Sequence, residues 1–157
     1  MTSGQMFYED LAIGRTYRSE PIAVTIEEIT SFAARYDPQP FHLDPAAGRE
    51  SVFGGLVASG WLTASLTMRL MVKSEFRFGS GVIGLGVDSL RWPQPVRPGD
   101  TLTAAVEVVA MRASASQPEH GVVKIRTTTT NQRDEVVQVM ISNVLVRRRA
   151  AAIPTSS

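Results

Sequence analysis

The chain has 157 residues, of which 43% are hydrophobic and 20% charged, and its formal net charge is +1. This balance predicts one domain with a packed core over residues 1–157, and it argues against nucleic acid as a partner, because phosphate binding needs a concentrated basic face. The chain has no cysteine, which excludes disulfides, thiolate catalysis and cysteine metal sites.

The first 20 residues predict an irregular N-terminal arm in which Phe7, Tyr8, Leu11 and Ile13 pack onto the domain. The arm lacks the basic region and apolar core of a secretory signal. No apolar run in the chain reaches the ~18 residues that a membrane span needs. We therefore expect a soluble, cytoplasmic protein with no membrane partner.

A short strand over Ile22–Val24 and a helix over Ile26–Arg35 are predicted next. Thr25 and Glu28 have the spacing of a capping box, and apolar residues recur at helical spacing after them. The residue that precedes a proline is disfavoured in a helix, and here that residue is Asp37. Asp37 is therefore expected where the helix ends and the chain enters a loop.

Two further helices are predicted from the middle of the chain. Asp44 followed by proline is typical of an N-cap with proline in the first helical position. From Ala58 to Val72 almost every residue is apolar or small, and Arg69 is the only charged one. This pattern predicts a helix that is covered on most of its faces and so needs a sheet around it.

The second half of the chain supplies that sheet, because it is rich in β-branched residues in alternation. The basic block Arg147–Arg149 is interpreted as a solvated strand end, and Ala150–Ser157 as a flexible tail. The order of elements predicts an α+β fold in which a four-stranded antiparallel meander wraps one apolar helix. The predicted strands are Gly79–Trp92, Thr101–Met111, Val122–Thr130 and Val136–Arg148.

The loop after the first helix carries the chemistry. Asp37 and His42 stand close together in sequence with two prolines between them, and the prolines restrict how the two side chains separate. A carboxylate and an imidazole on one rigid loop can hold a water molecule and move its proton. The same residues also fit an aspartate that ends a helix and a histidine that only packs.

Asp44 is a second acidic candidate, but its place before a proline favours a helix cap. A zinc site could use only Asp37, His42 and Asp44, and their spacing matches no helical metal motif. We therefore expect neither a metal nor a cofactor. No G-x-S-x-G surrounds any serine, so a hydrolase triad has no support.

Glycines precede the apolar helix and also stand at its start. The amides at a helix N-terminus carry partial positive charge and can hold an oxyanion, and Gly60 is placed for this. Alternatively, Gly54, Gly55 and Gly60 only let the helix pass close to the sheet. Ser59 fits either a place beside the substrate or the N-cap of this helix.

Residues 32–61, with the sequence FAARYDPQPFHLDPAAGRESVFGGLVASGW, resemble the hydratase motif of the MaoC-like family, which includes (R)-specific enoyl-CoA hydratases. The stretches FYEDLAIGRTY and LRWPQPVRPGDTL are also similar to that family. The resemblance covers about residues 7–148. It implies a hot dog fold, with an antiparallel sheet around a long central helix, and a homodimer or a higher homo-oligomer.

The resemblance implies an enzyme that reversibly hydrates a trans-2-enoyl-CoA. It assigns the catalytic roles to Asp37 and His42, which hold the water and move its proton, and to the Gly60 amide, which polarises the thioester carbonyl. Around the substrate it places Gln39, Pro40, Gly55, Ser59 and Trp61.

One position departs from the pattern that the resemblance implies, because many hydratases have asparagine where this chain has Gln39. Its extra methylene could shift a supporting hydrogen bond. Two other functions stay open at this point. They are a hot dog acyl-CoA thioesterase and a non-catalytic module that binds acyl thioesters.

Overall fold

A computed structural model describes residues 5–150, which form a six-stranded antiparallel sheet. The helices precede most of the strands in the sequence, and the longest of them packs against the sheet. A 3-10 turn covers Tyr8–Asp10. The helices are α1 (Ile26–Tyr36), α2 (Pro40–Leu43), α3 (Pro45–Glu50) and α4 (Gly60–Val72). The strands are β1 (Thr16–Arg18), β2 (Ile22–Ala23), β3 (Ile83–Arg91), β4 (Thr101–Ala113), β5 (His120–Thr130) and β6 (Val136–Arg147).

The sheet follows the order β1-β4-β5-β6-β3, and β2 also pairs with β4. The predicted meander holds for β4, β5 and β6 but is wrong for β3, which pairs with β6 instead of β4. Residues 92–100, which connect β3 to β4, contain three prolines and form no tight hairpin. This connection carries the chain across the sheet from one edge towards the other, past the start of α4.

The N-terminal arm is more regular than predicted. Its strand β1 pairs with β4, so the arm extends the edge of the sheet. Tyr17 and Leu11 are buried in the core, whereas Ile13 is exposed, and its predicted packing is wrong. The alternation in β1 follows from strand geometry, because successive side chains point to opposite faces.

The basic block at the end of β6 contacts this arm. Arg148 forms an ion pair with Glu9, and Arg149 forms one with Asp10. Both arginine side chains stay exposed, at 41% and 54%, so the end of β6 is solvated as predicted but also pairs with the arm. Exposed pairs of this kind contribute only ~0–1 kcal/mol each, so their main effect is to hold the arm in place.

The start of α1 and the region after it follow the local signals in the sequence. Thr25 and Glu28 form the predicted capping box, and Asp37 is the C-cap of α1. The carboxylate of Asp44 accepts a hydrogen bond from the Ala46 amide at 3.0 Å, which confirms it as the N-cap of α3. Two short helices therefore follow the Asp37 loop and turn the chain towards α4.

Helix α4 packs one face against the sheet and leaves the other exposed. Leu62, Leu66 and Leu70 on the inner face are buried in the core. On the outer face, Met68 is 46% exposed and Val72 is 55% exposed. The prediction that most faces are covered is therefore not met within one chain.

The expected tail lies outside the described residues, apart from Ala150. Within residues 5–150, no helix is both long and apolar enough to cross a membrane.

Candidate active site

Asp37 and His42 meet at the centre of the candidate site. The helix α1 ends at Asp37, and His42 lies in α2, where it is buried. The distance between His42 Nε2 and Asp37 Oδ2 is 3.3 Å. The structure thus brings together the two side chains that the sequence singled out.

The main chain sets the tautomer of His42. Its Nδ1 lies 2.7 Å from the carbonyl oxygen of Val57, just before α4. A carbonyl can only accept a hydrogen bond, so Nδ1 carries the proton and donates it. In the neutral ring, Nε2 therefore has a free lone pair beside the Asp37 carboxylate.

Polar neighbours favour the ionised form of Asp37. Donation from the Gln39 side chain, followed by the influence of the Ser59 hydroxyl, lowers the pKa of this carboxyl group below its usual value. Gln39 Nε2 lies 2.7 Å from Asp37 Oδ1, so the longer side chain at this position still makes the supporting bond. Burial opposes this shift but does not reverse it.

Ser59 also caps α4, because its Oγ accepts a hydrogen bond from the Trp61 amide at 3.2 Å. The carbonyl of Ser59 accepts from the Leu62 and Thr63 amides. Among the described residues, these bonds leave the Gly60 amide as the donor in the first turn of α4 that has no hydrogen-bond acceptor. This amide carries the positive end of the helix dipole.

The Asp37–His42 pair and Gly60 line a cavity of about 430 Å³. The sequence predicted five of its lining residues, which are Asp37, Gln39, His42, Gly60 and Trp61. The remaining lining residues carry no local signal of a site, although five of them lie in the aromatic and proline-rich stretch at residues 90–102. These further lining residues are Phe41, Phe53, Val57, Ala58, Thr63, Trp92, Pro93, Gln94, Pro95 and Val96.

Three predicted substrate residues do not line this cavity. Pro40 starts α2, and Ser59 is buried behind the cavity wall. Gly55 lies against Gly48 of α3, and a Cβ on Gly55 would come 3.0 Å from Arg97. These three residues shape the backbone around His42 and the start of α4 instead of contacting the cavity.

The contact between Gly48 and Gly55 gives a testable prediction for stability. A Cβ at Gly48 would lie 2.5 Å from the Leu56 amide nitrogen and 2.6 Å from the Gly55 carbonyl carbon. We expect Gly48→Ala to lower the free energy of unfolding by roughly 1–3 kcal/mol, because main-chain atoms must move. Helix propensity alone would raise it by ~1 kcal/mol, so a more stable variant in urea unfolding would contradict this steric argument.

Among residues 5–150, no group of three histidine, aspartate or glutamate side chains is arranged to hold a metal ion. The Asp44 carboxylate, which a site with Asp37 and His42 would need, is bound to the amide at the start of α3. Asp37 and His42 supply a carboxylate and an imidazole, which are side chains suited to acid–base chemistry.

An antiparallel sheet packed on a long helix, with a paired aspartate and histidine near the start of that helix, is the arrangement that the resemblance to hot dog proteins predicts. A family model described as "MaoC like domain" matches residues 9–131. The chain belongs to the MaoC-like dehydratase family.

Solved structures agree with this assignment. The crystal structure of the MaoC-like dehydratase from Rhodospirillum rubrum is 47% identical, with a TM-score of 0.88 over 93% of this chain and 99% of that one. The (R)-hydratase from A. caviae is 30% identical, with a TM-score of 0.70 over 90% and 99% of the two chains.

Among curated proteins, the (R)-specific enoyl-CoA hydratase of Aeromonas caviae is 42% identical over 86 residues. That alignment covers 54% of this chain and 62% of the enzyme, which is less than two thirds of the enzyme's length.

Proposed function

We propose that this protein reversibly hydrates a trans-2-enoyl-CoA to the 3-hydroxyacyl-CoA. The observation that carries the proposal is the Asp37–His42 pair, 3.3 Å apart at a cavity that also contains the Gly60 amide. The relative from Aeromonas caviae, named as an (R)-specific enoyl-CoA hydratase, supports the same reaction.

The pair is suited to hold one water molecule. With Nδ1 protonated, the neutral His42 ring accepts a hydrogen from water at Nε2, while Asp37 Oδ2 accepts the other. As the water oxygen forms its bond to Cβ, Asp37 takes one proton and the electrons of the double bond move towards the thioester. The proton taken from water then returns to Cα, so His42 orients the water and the two groups end as they began.

Gly60 acts on the other end of the substrate. Its amide stabilises the negative charge that develops on the thioester oxygen when the enolate forms, and the dipole of α4 adds to this effect. Gly60 also has no Cβ, which leaves room for the indole of Trp92. A Cβ at this position would lie only 2.6 Å from the nearest indole atom. The Gly60 amide would thereby hold the carbonyl within reach of the Asp37–His42 water.

The test is purified protein with crotonyl-CoA, in which loss of the conjugated-enoyl absorbance reports hydration. We expect turnover to 3-hydroxybutyryl-CoA without release of thiol. Free thiol without hydration would identify a thioesterase instead. Tight binding without turnover over a broad enoyl-CoA panel would identify a binding module.

The hydrogen bond from Gln39 gives a prediction for pH dependence. Since donation from Gln39 lowers the pKa of Asp37, Gln39→Ala removes a donor and raises that pKa. As the solution is acidified, the Asp37 carboxylate is then protonated at a higher pH and can no longer accept the proton of water. We expect the acid limb of kcat/KM against pH to move to higher pH, and a limb that stays in place or moves lower would contradict this.

We also propose that two copies pair through the exposed face of α4 and the edge strand β3. Trp61, Met68 and Val72 form an exposed apolar stripe on α4, and Ile83, Leu85 and Val87 of β3 are likewise exposed. Strand β3 has β6 on one side and, within residues 5–150, no strand on the other. An exposed apolar edge next to an apolar helix face fits a second copy of the same surface.

Light scattering after size-exclusion chromatography tests the pairing. We expect the wild type to have the mass of a dimer and Met68→Glu to have the mass of a monomer, because a charge would be buried without a partner. Glu27→Gln on the exposed start of α1 serves as a control and is expected to leave the mass unchanged. A monomeric wild type would contradict the proposal.

A further inference from the structure

Trp92 lies flat against the start of the central helix. Three atoms of its indole would lie 2.6–2.8 Å from a Cβ on Gly60, which is the first residue of α4. Its ring also meets that of Trp61 edge to face, with 5.4 Å between their centroids. The indole therefore forms the wall of the cavity beside the proposed thioester position.

A buried amide on the sheet fixes the orientation of that indole. Gln138 Oε1 accepts a hydrogen bond from Trp92 Nε1 at 2.9 Å. An indole N–H can only donate, so the carbonyl end of the Gln138 amide must face it. Since Gln138 is fully buried on β6, it provides a rigid anchor for a side chain that is itself 40% exposed.

Gln138 is a buried polar side chain whose amide is only half paired. Its Nε2 has no hydrogen-bond partner among the described residues. A buried amide with one end unpaired costs stability that an apolar side chain of similar volume would not. Its neighbour across the sheet, Thr129, bonds to Thr67 of α4 and makes no comparable contact with the cavity wall. The bond to Trp92 is the interaction that distinguishes Gln138.

We propose that Gln138 is a positioning residue that holds Trp92 against Gly60, and that the indole so held restricts the substrate to short acyl groups. The inference rests on the proposed hydratase function, since it concerns the acyl end of the same cavity. The indole fills the space between the start of α4 and strand β6. A long acyl chain that extends from a thioester at Gly60 into this space would have to displace it.

The first experiment compares kcat/KM for 2-enoyl-CoAs of four and eight carbons. The wild type is expected to favour the four-carbon substrate. In Trp92→Ala the ratio of the eight-carbon to the four-carbon value should rise about tenfold or more, because pocket discrimination of one methylene is already worth about tenfold. Gln138→Leu should also raise this ratio, by a smaller factor. If the leucine variant does not fold, Gln138→Met is used in its place.

Thr129→Val is the matched control, because it removes a buried hydrogen bond from the same layer of the sheet without touching Trp92. It should leave the ratio at the wild-type value. The same rise in Thr129→Val as in Gln138→Leu would overturn the proposal by showing a general loss of packing. An unchanged ratio in both Trp92→Ala and Gln138→Leu would also overturn it.

Tryptophan fluorescence tests the anchor without any turnover. The chain has two tryptophans, so Trp61→Phe leaves Trp92 as the only emitter. In that background, Gln138→Leu should shift the emission to longer wavelength and increase quenching by acrylamide. Unchanged emission and quenching would overturn the role of Gln138.

The same fluorescence separates this proposal from the reaction. If no enoyl-CoA is hydrated, the proposed function fails. The wall is then tested by the Kd values of butyryl-CoA and octanoyl-CoA, measured from Trp92 emission. Tighter binding of butyryl-CoA that is lost on Gln138→Leu supports the wall, and equal Kd values before and after that substitution overturn it.

Discussion

Replacing Asp37 by asparagine is expected to lower kcat for crotonyl-CoA hydration by about 10²–10⁴, the range typical of a lost general base. The amide cannot accept the proton of the attacking water, although it keeps the shape of the side chain. Substrate contacts made by Gly60 and the cavity wall are retained, so we expect KM to change much less than kcat. The loss of enoyl absorbance at saturating substrate measures the effect.

Asp44→Asn is the matched control for this substitution. Asp44 lies in the same loop region, and its substitution also replaces a carboxylate by an amide. The Asp44 carboxylate, however, caps α3. Asparagine caps a helix about as well as aspartate, so we expect the wild-type rate. Wild-type turnover in Asp37→Asn, or an equal loss in Asp44→Asn, would remove Asp37 from the mechanism.

Replacing His42 by asparagine is expected to lower kcat by about 10²–10⁴ as well. The asparagine amide can still donate to the Val57 carbonyl in place of Nδ1, which keeps the local fold. It has no atom in the place of Nε2, so the water loses its second acceptor. Circular dichroism should confirm the fold, and the same absorbance assay gives the rate.

His120→Asn is the control for this second prediction, because His120 is the only other histidine. It starts β5 and is absent from the cavity lining. We expect it to keep the wild-type rate. Comparable turnover in His42→Asn and the wild type would show that the pair does not act through its imidazole.

The parts of the structure that sequence alone could predict are those set by local interactions. The capping box at Thr25, the exit of α1 at Asp37 and the cap at Asp44 each depend on residues within a few positions, and all three are present. The pairing of β3 with β6 could not be read in this way. Short turns favour pairing between strands that are neighbours in the sequence, and this expectation led to the wrong place for β3.

The candidate site divides along the same line. Asp37 and His42 lie on one short loop, so their approach follows from the chain geometry between them. The Val57 carbonyl that sets the tautomer and the Gln138 amide that holds Trp92 come from distant positions in the sequence. Neither carries a local signal, because such contacts exist only once the sheet and the helix have packed.

The partner of His42 Nδ1 is a main-chain oxygen, and this has a consequence for natural variation. Every residue type at position 57 presents the same carbonyl, so replacing this side chain by another apolar one does not remove the acceptor. The other neighbour of the imidazole is the side-chain carboxylate of Asp37, and a single substitution at that position removes it. Spontaneous inactive alleles should therefore collect at Asp37 and His42 themselves, while position 57 accumulates neutral changes in apolar side chains.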